Sequence, residues 1–307
     1  MLVASLPDES WIADLGEVAG VEMTPWNLRE SSPRAGEISF VVPPYIDRRM
    51  RLELLAELPR LAVVQLVTAG YDDVSDHLPP GALLCNGGGI HDASTAELTL
   101  ALILASLRGI PNFVVAQHES RWIRTQMWDS LADRRVLVVG YGNVGRAIVR
   151  RLLPFEVEVT AVASRPHDGD DLVDAVHGID ELGTLLPQQD VVVLITPLTD
   201  ATEGLVGVDF LAAMKDGALL VNMARGKVVD THALLAETTS GRLRAALDVT
   251  DPEPLPDDHP LWRAPGVLIS PHVGGASTAF RPRALALLRR QLEAYASRQP
   301  LDNVVSG

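Results

Sequence analysis

The sequence predicts an α/β protein of two domains, one of them built on a doubly wound parallel sheet. Three observations lead there. Short apolar runs alternate with helical stretches along most of the chain. A Gly-x-Gly-x-x-Gly turn at residues 140–145 stands between one such run and a helical pattern. A length of 307 residues with 47% hydrophobic content is enough for two cores of about 150 residues each.

Taken in order, residues 2–5, 38–42, 61–67 and 82–85 are apolar runs of strand length separated by polar helical stretches, the pattern of a small parallel sheet. Asn86-Gly87-Gly88-Gly89 interrupts the pattern, and a very apolar helix over 97–107 follows, so a hinge between domains is expected here. Bounded by Glu97 and Arg108, its run 98–107 is too short for a membrane span of about 20 residues and reads as a buried core or interface helix. From Val136 the alternation restarts, with strands expected at 136–139, 157–163, 191–195, 218–222, 244–247 and 267–270. Six strands with intervening helices fit a doubly wound nucleotide-binding sheet. Asp230 is a good N-cap and Gly241 a good C-cap for a helix over 231–240. Residues 251–260, acidic and rich in proline, form a loop, and no repeat or low-complexity tract interrupts the order.

The glycine turn has a physical logic. Gly140 permits the tight exit from the strand, Gly142 lets the backbone approach a pyrophosphate, and Gly145 lets the helix pack closely on the sheet. Val144, Ala147, Ile148 and Leu152 recur at helical spacing behind it. The helix N-terminus, with Asn143 and Val144 in its first turn, carries N–H groups and the positive dipole end that receive a dinucleotide's phosphates.

Composition narrows the partners. A formal charge of −14 argues against nucleic acid and anionic membranes, which are bound by clustered Lys and Arg; an anionic substrate therefore needs a locally basic site. Cys85 is the only cysteine, so no intramolecular disulfide forms, and a reducing, cytoplasmic location is expected. Asp8 and Glu9 interrupt the N-terminus before any long apolar run, so no signal peptide is expected. No spacing of His, Cys, Asp and Glu suggests a metal site, and Cys85 reads as a small buried residue.

Ligands of open α/β sheets bind beyond the carboxyl ends of the strands. Thr196-Pro197-Leu198, Met223-Ala224-Arg225-Gly226, Asp248 with Glu253 five residues later, and Pro271-His272-Val273-Gly274-Gly275 all follow expected strands. Taken alone, an Arg or a Glu in a loop is a solvated charge, and a lone His is a hydrogen-bonded structural one. At one edge of one sheet they instead make a fixed cation, a proton carrier and its partner, the inventory for acid/base chemistry on an anion. His77, His118, His167, His177 and His232 read as exposed; His91 and His259 are minor candidates for the substrate region, and Trp262 reads as a packing residue.

The chain resembles the D-2-hydroxyacid dehydrogenase family along nearly its whole length. The resemblance rests on Thr-Ala-Gly-Tyr-Asp (68–72), Ala96-Glu97, Gly-Tyr-Gly-Asn-Val-Gly (140–145) and Asn-Met-Ala-Arg-Gly (222–226). Ala-Leu-Asp-Val (246–249), Glu253-Pro254-Leu255 and Ser-Pro-His-Val-Gly-Gly (270–275) complete it. It implies a flavodoxin-like substrate domain made of residues 1–88 and 277–307, with a Rossmann dinucleotide-binding domain, 89–276, inserted between them. It also implies a homodimer formed through the region around the apolar helix. Arg225, Glu253 and His272 then take the three catalytic positions. Arg225, with backbone N–H groups near Ala69 and Gly70, would hold the carboxylate of a small 2-keto acid while His272 passes a proton and Glu253 orients it. Thr95, Thr196, Pro197, Met223, Asp248 and Gly274 are candidate cofactor contacts beside the glycine turn.

The second strand of the Rossmann unit chooses the cofactor. An acid at its end would hydrogen-bond a ribose 2′-hydroxyl, yet Ser164-Arg165 stands there and no carboxylate appears before Asp168. Ser164 and Arg165 suit a 2′-phosphate, which favours NADP(H) over NAD(H) and, with it, a reductase of glyoxylate or hydroxypyruvate type. The alternatives are an NAD-dependent enzyme for phosphoglycerate, a D-lactate-like acid or phosphite, and a non-enzymatic NAD(P)H-sensing corepressor of the same fold. Formate enzymes resemble the chain but carry Gln where Glu253 stands, which ranks them low.

Overall fold

The computed structural model describes residues 2–306 apart from 46, 48, 125 and 126. The chain divides into two compact units, Met1–His91 with Thr278–Gly307, and Asp92–Ser277. The first unit opens with β1 (Leu2–Leu6), α1 (Glu9–Leu15), β2 (Val21–Pro25), β3 (Ile38–Val41), β4 (Val63–Gln65), α2 (Asp72–Ser75) and β5 (Leu83–Cys85). The second begins with α3 (Asp92–Leu107), α4 (Ile110–His118), β6 (Arg135–Val139), α5 (Asn143–Leu152), β7 (Glu158–Ala163), β8 (His167–Asp168) and β9 (Ala175–Gly178). It continues with α6 (Leu182–Leu185), β10 (Val191–Leu194), α7 (Val208–Ala213), β11 (Leu219–Asn222), α8 (Thr231–Thr239), β12 (Arg244–Leu247) and β13 (Val267–Ile269). The chain then returns to the first unit as α9 (Phe280–Ala296) and β14 (Val304–Ser306).

The second unit's sheet runs β13-β12-β11-β10-β6-β7-β9-β8, every pair parallel except β8 with β9. Parallel strands are buried on both faces, and successive residues split between two cores accordingly. Val136, Val138, Val191 and Val193 pack with Ala96, Ile103 and Leu107 of α3 and Ile148 and Leu152 of α5. Leu137, Val139, Val192 and Leu194 face the other way, against Phe210 and Leu211 of α7 and Leu234 of α8. Each such side chain, fully buried, contributes about 1.5–3 kcal/mol. The crossover before β12 is punctuated as expected: the Asp230 carboxylate accepts from the N–H groups of His232 and Ala233 at 2.9 and 3.0 Å, and Gly241 lies just past the end of α8 with φ +76°.

The first unit's sheet runs β14-β5-β4-β3-β1-β2, parallel except for β14. Phe40, Val63 and Leu6 pack under Leu287, Leu288 and Leu292 of α9 and Trp11 of α1. Ile38, Val64 and Leu84 pack on the opposite face with Leu54 and Leu55.

The strand pattern departs from expectation at the margins. β2, β8, β9 and β14 lie outside the predicted strands because they are short edge or near-edge strands: Glu22 and Pro25 in β2, the polar pair His167-Asp168 that makes up β8, and His177 and Gly178 in β9 hide the apolar signal. The run 61–67 is strand only at Val63–Gln65. The apolar helix starts five residues earlier than read, at Asp92, and stops where Gly109 takes φ +65°; α4 then leaves at 68°. Among the described residues no single helix is long and apolar enough to cross a membrane. The apolarity of α3 is spent internally, whereas α4 presents Ile110, Val114 and Val115 outward.

Candidate active site

The glycine turn joins β6 to α5 at the carboxyl edge of the second unit's sheet. Gly140 takes φ +111°, and a Cβ there would stand 2.5 Å from the Ile195 carbonyl oxygen, so both handedness and space demand glycine. At Gly145 a side chain would run into the Gly140 carbonyl. Gly142, the N-cap of α5, faces open space, with no atom within 4 Å of where a Cβ would sit. Asn143 and Val144 follow in the first turn, whose N–H groups have no intrahelical acceptor. Beside this turn, Thr196 Oγ1 is buried without a hydrogen-bond partner among the described residues. An open helix N-terminus next to an orphaned buried hydroxyl is the arrangement a dinucleotide pyrophosphate would complete, so the residues present fit such a cofactor.

Tyr141, inside the turn and buried, donates its hydroxyl to Asp170 at 2.9 Å, and burial holds that hydroxyl's pKa above the usual tyrosine value. Arg146 pairs with Asp170 and, at 2.8 Å, with Asp171, whose carboxyl it keeps below the ordinary range. Asp170 and Asp171, beyond the second strand, are thus engaged by the protein. Ser164 and Arg165, directly after β7, are exposed, and Arg165 forms no ion pair among the described residues.

Thr95, Met223, Asp248 and Gly274 come together around one point: Asp248 Oδ2, Met223 Cε and Thr95 Cγ2 lie 3.0, 3.3 and 3.5 Å from where a Gly274 Cβ would be. Asp248, 3% exposed, organises the loop after β13. Its Oδ1 accepts from Ser270 Oγ at 2.6 Å and the Val273 N–H at 2.9 Å, and its Oδ2 from the Gly274 N–H at 2.8 Å. Of about four acceptor sites on a carboxylate, three are taken by this loop. The Asp248 carbonyl also accepts from the His272 N–H at 2.7 Å.

That bond holds His272 at φ +53°, a left-handed backbone that costs a non-glycine residue energy. Its Nδ1 lies 2.6 Å from Glu253 Oε1, with the side chains 48% and 41% exposed. An ionised carboxylate only accepts, so Nδ1 is the donor and Nε2 is the nitrogen left to exchange a proton. Glu253 stands in the proline-rich loop, and Trp262, half-exposed, donates its indole N–H to the Pro256 carbonyl of that loop at 2.8 Å. Trp262 therefore braces the loop from outside.

Arg225 leaves the end of β11 through a turn tied by Asn222, whose Oδ1 accepts from the Ala224 N–H and whose Nδ2 donates to the Arg225 carbonyl, both at 3.0 Å. β11, β12 and β13 are adjacent, so Arg225, Asp248 with Glu253, and His272 follow neighbouring strands at one edge. Sequence reasoning gave Asn222 and Ser270 no role; a polar residue closing an apolar strand was the available signal. Pro197 is exposed next to Thr196. In the first unit, Ala69 and Gly70 lie in a turn where Thr68 Oγ1 donates to the Gly70 carbonyl at 2.8 Å. His91 is buried there in a ring cluster with Tyr45 and Phe280, and His259 caps the short helix Pro260–Arg263. Cys85 is fully buried, and burial pushes its thiol up to about 11. Among the described residues no group of His, Cys, Asp and Glu could hold a metal ion.

Comparison with known proteins identifies the family. Residues 100–274 match the family model described as the NAD binding domain of D-isomer specific 2-hydroxyacid dehydrogenases. The chain is 30% identical to the glyoxylate reductase/hydroxypyruvate reductase of Homo sapiens, across 97% of this chain and 94% of that protein. A D-isomer specific 2-hydroxyacid dehydrogenase from Xanthobacter autotrophicus, solved with NADPH and MES, superposes with a TM-score of 0.83 at 27% identity, over 99% and 98% of the two chains. An NADPH-dependent glyoxylate/hydroxypyruvate reductase from Sinorhizobium meliloti, solved with NADP and malonate, gives 0.80 at 25% identity, over 99% and 97%. The chain belongs to the D-isomer specific 2-hydroxyacid dehydrogenase family, oxidoreductases that act on CH–OH groups by hydride transfer with a nicotinamide cofactor.

Proposed function

We propose that this enzyme reduces a small 2-keto acid of the glyoxylate or hydroxypyruvate type with NADPH, and that Arg225, Glu253 and His272 carry the reaction. The observation that carries the reading is the 2.6 Å His272–Glu253 pair at the sheet edge where Arg225 also emerges. Arg225 binds the substrate carboxylate and polarises the keto group, with the Ala69 and Gly70 N–H groups as further donors to the anion. The bound nicotinamide supplies the hydride to the carbonyl carbon. His272 Nε2 gives its proton to the carbonyl oxygen, while Glu253 holds Nδ1–H and hence the ring plane. In the oxidative direction neutral His272 takes the proton back.

Asn143, Val144 and the glycines of the turn receive the pyrophosphate, with Thr196 and Pro197 alongside; Thr95, Met223, Asp248 and Gly274 line the nicotinamide end. Ser164 and Arg165 take the 2′-phosphate. The exposure of Ser164 and Arg165, with no ion pair at Arg165 among the described residues, supports this. Two relatives of similar fold were solved with NADPH or NADP. Homodimer formation through the region of α4 is supported by its exposed Ile110, Phe113, Val114 and Val115, 37–55% exposed, and by Trp122 beyond them. The charge of −14 and the single, buried Cys85 support an enzyme of the cytoplasm without nucleic-acid or membrane partners.

The test is the loss of 340 nm absorbance with NADPH and, separately, NADH against glyoxylate, hydroxypyruvate, pyruvate and bulkier 2-keto acids. A strong NADPH rate with one of the small acids is expected. Cofactor binding without turnover across the panel would overturn the reading and favour a sensor of the same fold.

A further inference from the structure

Four consecutive carbonyls in the first unit, those of residues 67–70, each accept from a different donor. His91 Nε2 donates to Val67 at 2.8 Å, the Gly87 N–H to Thr68 at 2.6 Å, Asn86 Nδ2 to Ala69 at 2.9 Å and Thr68 Oγ1 to Gly70 at 2.8 Å. In a planar trans peptide the carbonyl and the following N–H point in opposite directions. Each captured carbonyl therefore turns the next N–H away from its captor. Gly87 sets the Ala69 N–H in this way, and Asn86 sets the Gly70 N–H. The approach of Gly87 leaves no room for a side chain, since a Cβ would stand 2.7 Å from the Val67 carbonyl carbon.

Asn86 is itself held from several sides. Its N–H donates to the Asn303 carbonyl and its Oδ1 accepts from the Gly88 N–H, both at 3.0 Å. Its carbonyl accepts from Gln65 Nε2, also at 3.0 Å. Gln65 is fully buried and bonded to Gln291 of α9, which in turn exchanges two hydrogen bonds with the Asp302 backbone. An exposed turn is thereby tied to the core of its own unit through one amide side chain.

We propose that Asn86 is a positioning residue for the substrate: its bond to the Ala69 carbonyl fixes the direction of the Gly70 N–H and so sets affinity for the substrate carboxylate. The inference rests on the assignment of the Ala69 and Gly70 amides to that carboxylate. Asn86 touches no reacting atom and acts through one peptide plane.

Asn86→Asp and Asn86→Ala separate its two side-chain bonds. Asp keeps the acceptor that the Gly88 N–H uses but presents an acceptor where Ala69 needs a donor; Ala loses both. With glyoxylate or hydroxypyruvate, whichever the wild type prefers, KM is expected to rise about tenfold or more in both variants, and at least as far in Asp as in Ala. NADPH Kd stays at the wild-type value and kcat within about threefold. Crystal structures of the variants are expected to show the Ala69–Gly70 peptide turned from its wild-type direction. Folded variants with wild-type KM overturn the proposal, as does a joint rise of KM and NADPH Kd, which marks a merely structural role. Recovery of KM in Asp but not in Ala also overturns it, by assigning the effect to Gly88. If the wild type reduces no 2-keto acid, the proposed function fails and the variant crystal structures decide alone: an unmoved peptide overturns the positioning role, a turned one sustains it.

Discussion

At the amino edge of the second unit's sheet, Asp190 accepts from Lys215 Nζ at 2.6 Å and from the Arg135 N–H at 3.0 Å, while Asp129 joins Arg134 at 3.1 Å and Arg244 at 3.0 Å. At the carboxyl edge the polar groups are left differently. His272 has one nitrogen paired with Glu253, Thr196 keeps a buried hydroxyl unpartnered, and α5 opens its first turn toward solvent. One edge closes its charges on each other; the other holds them in place and leaves one valence outward. Strand ends need polar caps at both edges, but only unsatisfied groups can recognise a ligand, so the contrast separates stability from function within one sheet.

The sharpest way to break this comparison is at His272. Asn tolerates its left-handed backbone, so His272→Asn is expected to lower kcat by about 100-fold or more while NADPH Kd and thermal midpoint stay near wild type. A loss of stability with little loss of turnover would place His272 on the structural side. Arg225→Ala is expected next, with kcat/KM for the 2-keto acid down about 100-fold and cofactor affinity retained; equal loss of cofactor binding would contradict the substrate assignment.

The amino edge should respond in the opposite sense. Asp190→Asn is expected to cost about 1–3 kcal/mol in denaturant unfolding and leave kcat/KM unchanged. Burial alone would raise the Asp190 carboxyl, but the Lys215 bond, the Arg135 N–H and the Arg134 charge outweigh it and hold it below its usual value. A carboxyl depressed in the folded state stabilises fully above its unfolded pKa of about 3.9 and loses that contribution as pH falls through the lower folded value. The variant should therefore lose less stability than wild type in that acid window, and parallel acid curves would show that Asp190 is no anchor. The smallest effect sharpens the cofactor end: Arg165→Ala is expected to reduce kcat/KM with NADPH about tenfold and with NADH by less than about twofold. Equal losses with both cofactors would remove the 2′-phosphate assignment.

Much of this was legible before any coordinates. The run of β-branched and leucine residues from Val136 to Val139, broken by Gly140, Gly142 and Gly145, announces strand, turn and helix because each step has one cheap solution. Arg225, Asp248 and His272 could be grouped because parallel strands deliver their following residues to one edge. The short strands β2, β8, β9 and β14 were not legible, since edge positions need little apolar patterning. Which surface Trp262 packs on was not legible, because aromatic area alone does not say whether a ring faces the core or braces a loop.

The sequence by itself determined the alternation of strands and helices, the glycine turn, the inventory of Arg, Glu and His at strand ends, and the Ser164-Arg165 pair in place of an acid. These depend on local period, steric allowance and residue chemistry, all carried by neighbours in the chain. Only the tertiary structure decided that Asp248 holds the loop of His272, 24 positions later, that Asn86 grips the carbonyl of Ala69, 17 earlier, and that Gln291 on α9 supports Asn86 through Gln65. Those bonds join residues far apart in sequence, and their geometry exists only once the sheets have set the distances between strand ends.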